Sequence, residues 1–390
     1  MNDFVFENST RFHFGKSALD AIPVEVGDAK TIMITYGGGS VKRTGVYDRV
    51  VDPLIKAGKK IVDFGGIMSN PTWAKVQEGA KVARDNDVDF IIAIGGGSVM
   101  DCSKMIAVTA VDEDENLWDK YFARFASVEV EPLPLGIVVT ATGTGSEGNG
   151  GAVITNEETK VKTGADRPQM NARFAILDPT LTFTVPAKQK AASGYDIMNH
   201  LMEEYFSKPV GNVIADDLIE ATMRSVIENL PVAIAEAENY QAHANIEWAS
   251  SLAENRVLKC GKSTCFQCHV IEHQIGAYTD CVHGLGLAAI TSNYYRHIYN
   301  ASPDALFQFK RFAVNVWGID PEGKTDEEVA LSGIDALESW TESIGVACKL
   351  SDLGCTEDML EEVADRVPGL PTCFKKLDRD DILDILKDSF

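Results

Sequence analysis

Histidines and one aspartate recur at helical spacing in the second half of the chain. Asp196 and His200 are four residues apart, and so are His269 and His273. Residues four apart on a helix share one face, so each pair would point in one direction. His283 follows in what the sequence predicts to be a glycine-rich turn. One carboxylate with several imidazoles suits a divalent metal such as Fe²⁺ or Zn²⁺. A single Asp–His pair is more typical of a solvated helix face, but the repetition favours a metal site.

Neighbouring residues allow other interpretations of this region. The string for c-type haem attachment is matched by residues 265–269, CFQCH, but haem attachment requires export and we expect no secretory signal here. A thiolate zinc site would need a second Cys-x-x-Cys pair, which the sequence lacks. Glu203, one turn beyond His200, is predicted either to accept a hydrogen bond from a ligating imidazole or to be an ordinary helix carboxylate. The remaining histidines are interpreted as structural: His13, His243 and His297.

Two glycine-rich turns each follow a predicted buried strand in the first half of the chain. One spans residues 37–40 after a strand at 30–36, and the other spans residues 95–98 after a strand at 88–94. Glycine lets the backbone approach phosphate oxygens, and the helix that follows offers amide donors at its N-terminus. Neither turn has the spacing of the dinucleotide fingerprint. Residues 143–148, GTGSEG, have it, but a strand-like run follows them, so we interpret them as a loop that contacts the middle of a cofactor.

The first glycine turn also bears on the choice of dinucleotide. An acid at the end of this strand often accepts a hydrogen bond from the 2′-hydroxyl of NAD. Residues 37–40, GGGS, contain no acid. Lys42 and Arg43 are close enough in sequence to meet a 2′-phosphate, which favours NADP(H) and leaves NAD(H) as the alternative. A solvated helix start is the other interpretation of these two basic residues.

The order of predicted elements indicates two domains. Before residue 186 strands and helices alternate, which is typical of a mainly parallel sheet. The predicted strands are 30–36, 60–64, 88–94 and 136–140, and the predicted helices are 45–58 and 73–86. Later helices are predicted at 194–206, 214–229, 245–255, 327–344, 357–367 and 381–388, with a capping box from Thr325 to Glu328. The sequence therefore predicts an α/β nucleotide-binding domain over residues 1–186 and an all-α domain over residues 187–390.

Composition excludes some classes of partner. The 390 residues carry a formal charge of −22, which argues against a surface that binds nucleic acid or an anionic membrane. The sequence has no apolar run of about eighteen residues, the length that would predict a membrane span. The N-terminus lacks the basic start and apolar run of a secretory signal, and eight cysteines are scattered along the chain. We therefore expect a cytoplasmic protein with free thiols.

Together these motifs resemble those of the iron-containing (group III) alcohol dehydrogenases, and within that family the NAD(P)H-dependent butanol dehydrogenases of fermentative bacteria. The resemblance covers nearly the whole chain, with a looser fit over residues 160–171. Its marks in the first half are ITYGGGSVK at 34–42, AIGGGS at 93–98 with Asp101 and Lys104 after it, TGTGSE at 142–147 and LDPT at 177–180. Its marks in the second half are the spacings Asp-x-x-x-His at 196–200, His-x-x-Glu-His at 269–273 and His-Gly at 283–284.

The resemblance implies a dehydroquinate synthase-like fold, with an N-terminal α/β nucleotide-binding domain, an all-α C-terminal domain and the site in the cleft between them. By motif position the metal ligands would be Asp196, His200, His269 and His283, and His273 would lie unligated near the nicotinamide. The implied cofactor contacts are Gly38, Gly39 and Ser40 at the adenosine ribose and Gly96, Gly97 and Ser98 at the pyrophosphate. Thr140, Thr142 and Asn149 would flank the nicotinamide half, and Asp101 and Lys162 are further implied contacts. Family members with Asp at the position of Gly39 prefer NAD. A homodimer is usual in the family.

The implied reaction is hydride transfer between NADP(H) and a small primary alcohol or aldehyde, such as butanol or butanal. The metal would polarise the substrate oxygen, and His273 is the candidate proton donor because an imidazole titrates near neutral pH. Apolar and neutral residues near the histidines favour a small neutral substrate: Met198, Met202, Phe266, Ile271, Ile275 and Tyr278. A lyase or polyol-phosphate dehydrogenase on the same fold would need several Lys or Arg there. A metal-binding protein without catalysis would have no use for the glycine turns.

Overall fold

The computed structural model describes residues 1–208, 211, 213–368, 370 and 373–390. They divide into two compact units. The first, here called the α/β unit, comprises Glu7–Val185 and Ala237–Asn255. The second, the helical unit, comprises Met1–Phe6, Pro186–Glu236 and Arg256–Phe390. The predicted domains, 1–186 and 187–390, stay a prediction. The compact units also separate at Pro186, but residues 237–255 group with the first unit.

A parallel sheet forms the centre of the α/β unit. The strands of the described residues are β1 (Arg11–Phe14), β2 (Thr31–Tyr36), β3 (Lys60–Phe64), β4 (Phe90–Gly95), β5 (Leu135–Val139), β6 (Gly151–Asn156), β7 (Val161–Asp166) and β8 (Phe174–Leu177). The parallel sheet has the order β1-β8-β5-β4-β2-β3, and β6 pairs with β7 in an antiparallel hairpin. The four predicted strands are confirmed as β2, β3, β4 and β5. The strands β1 and β8 lie outside the prediction, because four residues are too few for periodicity to show.

The sequences of the central strands explain why they lie inside the sheet. Every residue of β2 and β4 is buried, as expected of apolar parallel strands that helices cover on both faces. Successive side chains enter opposite cores, because a strand has a period of two residues. Met33 and Ile91 pack into one core, and Ile32 and Ile92 pack into the other. The predicted α/β class with a mainly parallel sheet is confirmed.

The α/β unit contains helices as well as the sheet, and the helical unit consists mainly of helices. The α-helices of the described residues are α1 (Ile22–Glu25), α2 (Ser40–Arg43), α3 (Val46–Lys56), α4 (Trp73–Asp85), α5 (Gly97–Thr109), α6 (Ala187–Tyr205), α7 (Val213–Ala235), α8 (Tyr240–Glu254), α9 (Gln267–Thr279), α10 (His283–Ala301), α11 (Leu306–Asn315), α12 (Asp326–Ser343), α13 (Glu357–Arg366) and α14 (Arg379–Asp388). Short 3₁₀ segments span Ala18–Ala21, Ser146–Gly148, Pro168–Met170, Pro179–Thr182, Pro303–Ala305 and Leu350–Leu353, and Asp119–Ala123 is a π-helical turn.

The second half is helical, as predicted. The capping box at the start of α12 is confirmed: Thr325 Oγ1 accepts from Glu328 N at 3.2 Å, and Glu328 Oε2 accepts from Thr325 N at 2.8 Å. Of the helices described, none combines the length and the apolar character that spanning a bilayer requires.

The prediction of a glycine-rich turn at His283 is wrong, because α10 begins at this residue. The glycines allow helices to pack closely. A Cβ added to Gly284 would lie 2.0 Å from the carbonyl oxygen of Ala192, so α10 can approach the backbone of α6 only with glycine here. In the same way, a Cβ on Gly194 would lie 2.3 Å from Leu230 Cδ1 on α7. Close packing, and not turn formation, is what requires Gly284.

Candidate functional site

The four predicted metal ligands converge in the helical unit around one carboxylate oxygen. Asp196 and His200 lie one turn apart on α6, His269 lies in the first turn of α9, and His283 begins α10. The distances from Asp196 Oδ1 are 3.5 Å to His200 Nδ1, 3.4 Å to His269 Nε2 and 3.5 Å to His283 Nε2. Three imidazole nitrogens from three helices therefore face a single oxygen.

Local backbone features bring these helices to the cluster. Phe266, immediately before α9, has a φ of 47°, in the left-handed region. Residues other than glycine rarely adopt this conformation, and when they do they are often found at functional sites. The contact of Gly284 with Ala192 holds the start of α10, and with it His283, against α6.

The surroundings of the cluster fit a bound cation. Asp196, His200 and His269 are 3 %, 8 % and 5 % exposed. Within the described ranges, Asp196 Oδ1 and His269 Nε2 have no hydrogen-bond partner, although buried polar atoms normally have one. Ligand atoms about 2.1 Å from a tetrahedral ion lie about 3.4 Å from each other. That separation matches the measured distances around Asp196 Oδ1, so a divalent metal would satisfy all four groups.

The charges of the cluster also favour a cation. Burial works to raise the pKa of Asp196, but the imidazoles of His200, His283 and His269 hold it below its ordinary value. Burial works to lower the pKa of His269, but the carboxylates of Asp196 and Glu203 raise it to about 10. Positive charge is therefore stabilised at this point, and a divalent ion would supply it in place of a proton.

His273 lies beside the cluster, one turn after His269 on α9. Its ring centroid is 6.5 Å from that of His269 and 5.7 Å from that of His283. Possible ligand atoms of Glu272, His273 and His283 also lie within 4.8 Å of one another, so a second grouping shares His283. The group around Asp196 is the more deeply buried of the two. This burial favours the Asp196 group as the metal centre, with His273 adjacent to it.

Two carboxylates lie behind the imidazoles. Glu203 Oε2 is hydrogen-bonded to His269 Nδ1, which confirms its predicted role as an acceptor for an imidazole. Glu272 Oε2 is hydrogen-bonded to His283 Nδ1. Glu272 is not among the predicted site residues. Its place in the His-x-x-Glu-His motif was the available signal, since its partner His283 lies eleven residues further along the chain.

Phe266, one of the expected apolar set, lies against two of the predicted ligands. Its ring centroid is 6.1 Å from that of His200 and 5.3 Å from that of His269. Lys259 Nζ lies 4.6 Å from the centroid of the Phe266 ring and 3.6 Å from Glu204 Oε1. Four others of the set are fully buried in the protein core: Met198, Met202, Ile271 and Ile275.

The predicted phosphate-binding turns lie at one edge of the sheet in the α/β unit. Strands β2, β4 and β5 are parallel neighbours, so their carboxyl ends meet at this edge. Residues 37–40 follow β2, and Gly39 has a φ of 87°, which favours glycine. Residues 96–98 lead from β4 into the 13-residue helix α5, whose N-terminus suits a phosphate group. Thr140 N donates to Gly95 O at 3.0 Å and joins the end of β5 to that of β4.

The loop at residues 143–148 is held by close contacts. A Cβ on Gly97 would lie 2.5 Å from Thr144 Cγ2, and a Cβ on Gly145, whose φ is 58°, would lie 2.5 Å from Ser250 O. Ser250 Oγ on α8 accepts from Gly143 N at 3.1 Å and from Gly145 N at 3.2 Å. The strand-like run after the loop is confirmed as β6. No short-range signal identifies Ser250, since it is more than a hundred residues away in sequence.

Two motif residues brace this loop from α5. Asp101 Oδ1 accepts from Ser146 Oγ at 2.6 Å, and its Oδ2 accepts from Val153 N at 2.9 Å. Lys104 is 1 % exposed, and its Nζ donates to Ser146 O at 2.6 Å and to Gly151 O at 2.7 Å. Asp101 was expected at the cofactor. Its contacts with Ser146 and Val153 indicate a role in shaping the loop.

Asn149 and Lys162, two further predicted cofactor contacts, are also buried. Asn149 Oδ1 accepts from Gly151 N at 2.8 Å, and its Nδ2 donates to Glu254 O on α8 at 3.2 Å. Lys162 lies on β7 opposite Thr155 and is 4 % exposed. Their contact with a cofactor, like that of Thr142, stays a prediction.

Lys42, expected to meet a 2′-phosphate, is paired with an acid. Its Nζ lies 2.7 Å from Asp63 Oδ2, 4.6 Å from the ring centroid of Tyr36 and 4.5 Å from that of Tyr47. Asp63 also accepts from Tyr36 Oη at 2.6 Å and from Tyr47 Oη at 2.7 Å. Burial works to raise the pKa of Asp63, but the hydrogen bonds from Lys42 and the two tyrosines lower it. Its carboxylate therefore offsets the charge that was expected to select NADP(H).

Comparison with known proteins agrees with this geometry. Residues 9–179 match the iron-containing alcohol dehydrogenase family, and residues 190–390 match the C-terminal part of the Fe-containing alcohol dehydrogenase family. The chain is 38 % identical to NADH-dependent butanol dehydrogenase A of Clostridium acetobutylicum, with 100 % of both chains covered. It is 35 % identical to the NADPH-dependent aldehyde reductase YqhD of Escherichia coli, over 91 % of this chain and 90 % of that protein.

Solved structures give the same result. The crystal structure of NADH-dependent butanol dehydrogenase A from Thermotoga maritima is similar with a TM-score of 0.93 and 34 % identity, over 99 % of this chain and 98 % of that one. The family and the fold predicted from the motifs are therefore confirmed: this chain belongs to the iron-containing alcohol dehydrogenases and is an oxidoreductase of that type.

Proposed function

We propose that this enzyme transfers a hydride between NADP(H) and a small primary alcohol or aldehyde such as butanol or butanal. We propose further that it uses Fe²⁺ or Zn²⁺ held by Asp196, His200, His269 and His283. The observation that carries the proposal is the convergence of three imidazole nitrogens, at 3.4–3.5 Å, on the buried Asp196 Oδ1. One carboxylate and three neutral imidazoles would leave a divalent ion with net positive charge, which Lewis-acid catalysis requires.

The residues around the cluster suggest how the reaction is assisted. A divalent metal, when bound, polarises a carbonyl group, and a reduced nicotinamide supplies the hydride. Glu203 and Glu272 are hydrogen-bonded to two of the imidazoles. The Phe266 ring disfavours water beside His200 and His269. His273, outside the buried group, donates a proton to the substrate oxygen as the alcohol forms, because an imidazole titrates near neutral pH.

NADP(H) is the proposed cofactor, with NAD(H) as the alternative. Residues 37–40 contain no acid to accept from a 2′-hydroxyl. The E. coli relative is named as NADPH-dependent, whereas the C. acetobutylicum relative is named as NADH-dependent. The pairing of Lys42 with Asp63 weakens the preference for the phosphate. The proposed contacts are those implied by the motifs: Gly38, Gly39, Ser40, Gly96, Gly97, Ser98, Asp101, Thr140, Thr142, Asn149 and Lys162.

The surroundings of the four proposed metal ligands also favour a small neutral substrate. Phe266 is an apolar neighbour of the ligands, and the ammonium of Lys259 lies near Glu204. One relative from Clostridium acetobutylicum is named as a butanol dehydrogenase, and one from Bacillus subtilis is named as a probable butanol dehydrogenase.

We also propose that the enzyme is cytoplasmic and forms a homodimer. Equilibrium sedimentation would test the homodimer.

The function is tested on enzyme purified without oxygen. Its metal content is measured, and aldehydes of two to six carbons are assayed with NADPH and then with NADH. We expect about one Fe²⁺ or Zn²⁺ per chain, turnover of butanal and loss of turnover when the metal is removed by a chelator. Phosphorylated aldehydes should not react. Full aldehyde reduction by metal-free enzyme would contradict the proposal.

A further inference from the structure

Two of the imidazoles among the proposed metal ligands contact a different partner with each of their two ring nitrogens. His269 Nε2 and His283 Nε2 face Asp196 Oδ1 at 3.4 Å and 3.5 Å. On the opposite side of each ring, Nδ1 is hydrogen-bonded to a carboxylate, from Glu203 for His269 and from Glu272 for His283. The two carboxylates come from different helices, α6 and α9.

The carboxylate beside each Nδ1 bears on which ring nitrogen carries the proton. A neutral imidazole has one N–H, and a carboxylate at Nδ1 keeps the proton there and leaves the lone pair of Nε2 for a metal. We propose that Glu203 and Glu272 are positioning residues that fix the tautomer and the ring orientation of His269 and His283. The inference rests on the proposed metal site.

Glu203 also fixes the start of α9. Its Oε1 accepts from Cys268 N at 2.7 Å, and its Oε2 accepts from His269 N at 3.1 Å. These amides belong to the first turn of the helix, where backbone donors have no partner within the helix. Glu203 is 2 % exposed and links α6 to the helix that carries His269. Substitution of Glu203 would therefore disturb both the imidazole and the helix.

Glu272 offers a second test. Its Oε2 is bonded to His283 Nδ1, and its Oε1 lies 4.0 Å from Cys281 Sγ. It is fully buried, and a Cβ added to Gly286 would lie 2.7 Å from its Oε1. Gly286 lies in the first turn of α10, which begins with His283. The absence of a side chain at Gly286 leaves the space that the carboxylate occupies behind the ring.

The experiment measures binding of Co²⁺, a spectroscopic substitute for the native metal, to the full-length protein by competition with a chromogenic chelator. The variants are Glu272→Ala, Glu272→Gln and Gly286→Ala. The matched control is Glu25→Gln, since Glu25 is also buried and its Oε1 lies 2.9 Å from a ring nitrogen, His13 Nε2, in the α/β unit. Urea unfolding of the metal-free proteins reports any general loss of stability.

We expect Glu272→Ala to bind Co²⁺ about 100-fold more weakly and Glu272→Gln about 10-fold more weakly, because an amide oxygen still accepts from Nδ1. Gly286→Ala, which displaces the carboxylate without removing it, should weaken binding similarly to Glu272→Gln. The visible absorption bands of bound Co²⁺ should change in all three variants and stay unchanged in Glu25→Gln.

Wild-type affinity and an unchanged Co²⁺ spectrum in Glu272→Ala would overturn the inference. Equal losses in Glu272→Ala and Glu25→Gln would also overturn it, since the effect would then not be specific to the cluster. His283→Ala separates this result from failure of the metal site itself. If His283→Ala loses Co²⁺ and Glu272→Ala does not, only the positioning role fails. If His283→Ala binds as tightly as wild type, the metal site fails and the inference with it.

Discussion

The two units build their candidate sites by different means. In the helical unit the site consists of side chains from three helices, and its atoms converge on Asp196 Oδ1. In the α/β unit it consists of backbone, offered by glycine turns and by the N-terminus of α5. There the motif side chains Asp101 and Lys104 hold a loop in shape. The motif side chains thus converge on one point in the helical unit, whereas in the α/β unit two of them support a loop.

One buried carboxyl group in each unit, Asp196 in the helical unit and Glu247 in the α/β unit, shows how its neighbours change its pKa. Asp196 and Glu247 are both buried, and within the described residues each has a carboxyl oxygen without a hydrogen-bond partner. Imidazoles lower the pKa of Asp196 against the effect of burial. Burial, with the charges of Glu147 and Asp178, raises the pKa of Glu247 well above its ordinary value. Neighbouring groups therefore favour the charged form of the Asp196 carboxyl group and the neutral form of the Glu247 carboxyl group.

The largest effect is expected where a side chain is itself the site. Asp196→Asn removes the negative charge on which the imidazoles converge. We expect metal affinity to fall by more than about 100-fold, beyond the effect of losing a supporting group, and butanal reduction to fall with it. Metal content after dialysis measures this change. Asp381→Asn is the control, because Asp381 also lies 3.0 Å from an imidazole, that of His297, in the same unit. Full metal content in Asp196→Asn would contradict the comparison.

A smaller effect is expected where backbone forms the site. Gly97→Ala places a Cβ 2.5 Å from Thr144 Cγ2, so the loop at 143–148 must move. Overpacking of this kind costs about 1–3 kcal/mol, and we expect NADPH to bind about 10-fold more weakly. Fluorescence titration with NADPH gives the affinity. Thr144→Ala in the same chain should restore part of it. Wild-type affinity in Gly97→Ala would show that the loop is not part of the nucleotide site.

The raised pKa of Glu247 predicts that the stability of the protein depends on pH and that substitution of Glu247 changes this dependence. Its pKa is raised on folding, so the folded chain keeps a proton that the unfolded chain loses, and stability falls as the pH rises above the ordinary value for glutamate. Glu247→Gln removes this titration. We expect the variant to be on the order of 1–3 kcal/mol more stable than wild type at about pH 8 and no more stable at about pH 4. Urea unfolding measures both. An equal difference at the two pH values would contradict the titration.

The smallest effect is expected at the exposed pair of Lys42 and Asp63. Asp63→Asn removes the charge that offsets Lys42, and exposed pairs contribute up to about 1 kcal/mol. We expect the preference for NADPH over NADH to rise about two- to five-fold. Lys42→Met should lower it. The ratio of the two dissociation constants, measured by fluorescence titration, is the readout. An unchanged ratio in both variants would place Lys42 outside the cofactor site.

Patterns with a short range predicted much of this structure correctly. Apolar runs located the four longer strands of the parallel sheet, and the spacing of Thr325 and Glu328 located a helix start. Spacing also placed Asp196 and His200 on one helix face. It failed at His283, because a glycine required for packing against Ala192 was read as a turn residue. It gave no sign of Ser250, whose hydroxyl holds a loop more than a hundred residues away.

The sequence by itself determined which residue types were available for chemistry and which segments were strands or helices, because those properties depend on residues within a few positions of each other. Only the tertiary structure decided how they were used. Asp101, a predicted cofactor contact, also braces a loop, and Glu272, which appears in the sequence only as part of the His-x-x-Glu-His motif, is hydrogen-bonded to His283. The physical reason is that hydrogen bonding and burial depend on neighbours from other helices and strands, whose positions follow from packing of the whole unit.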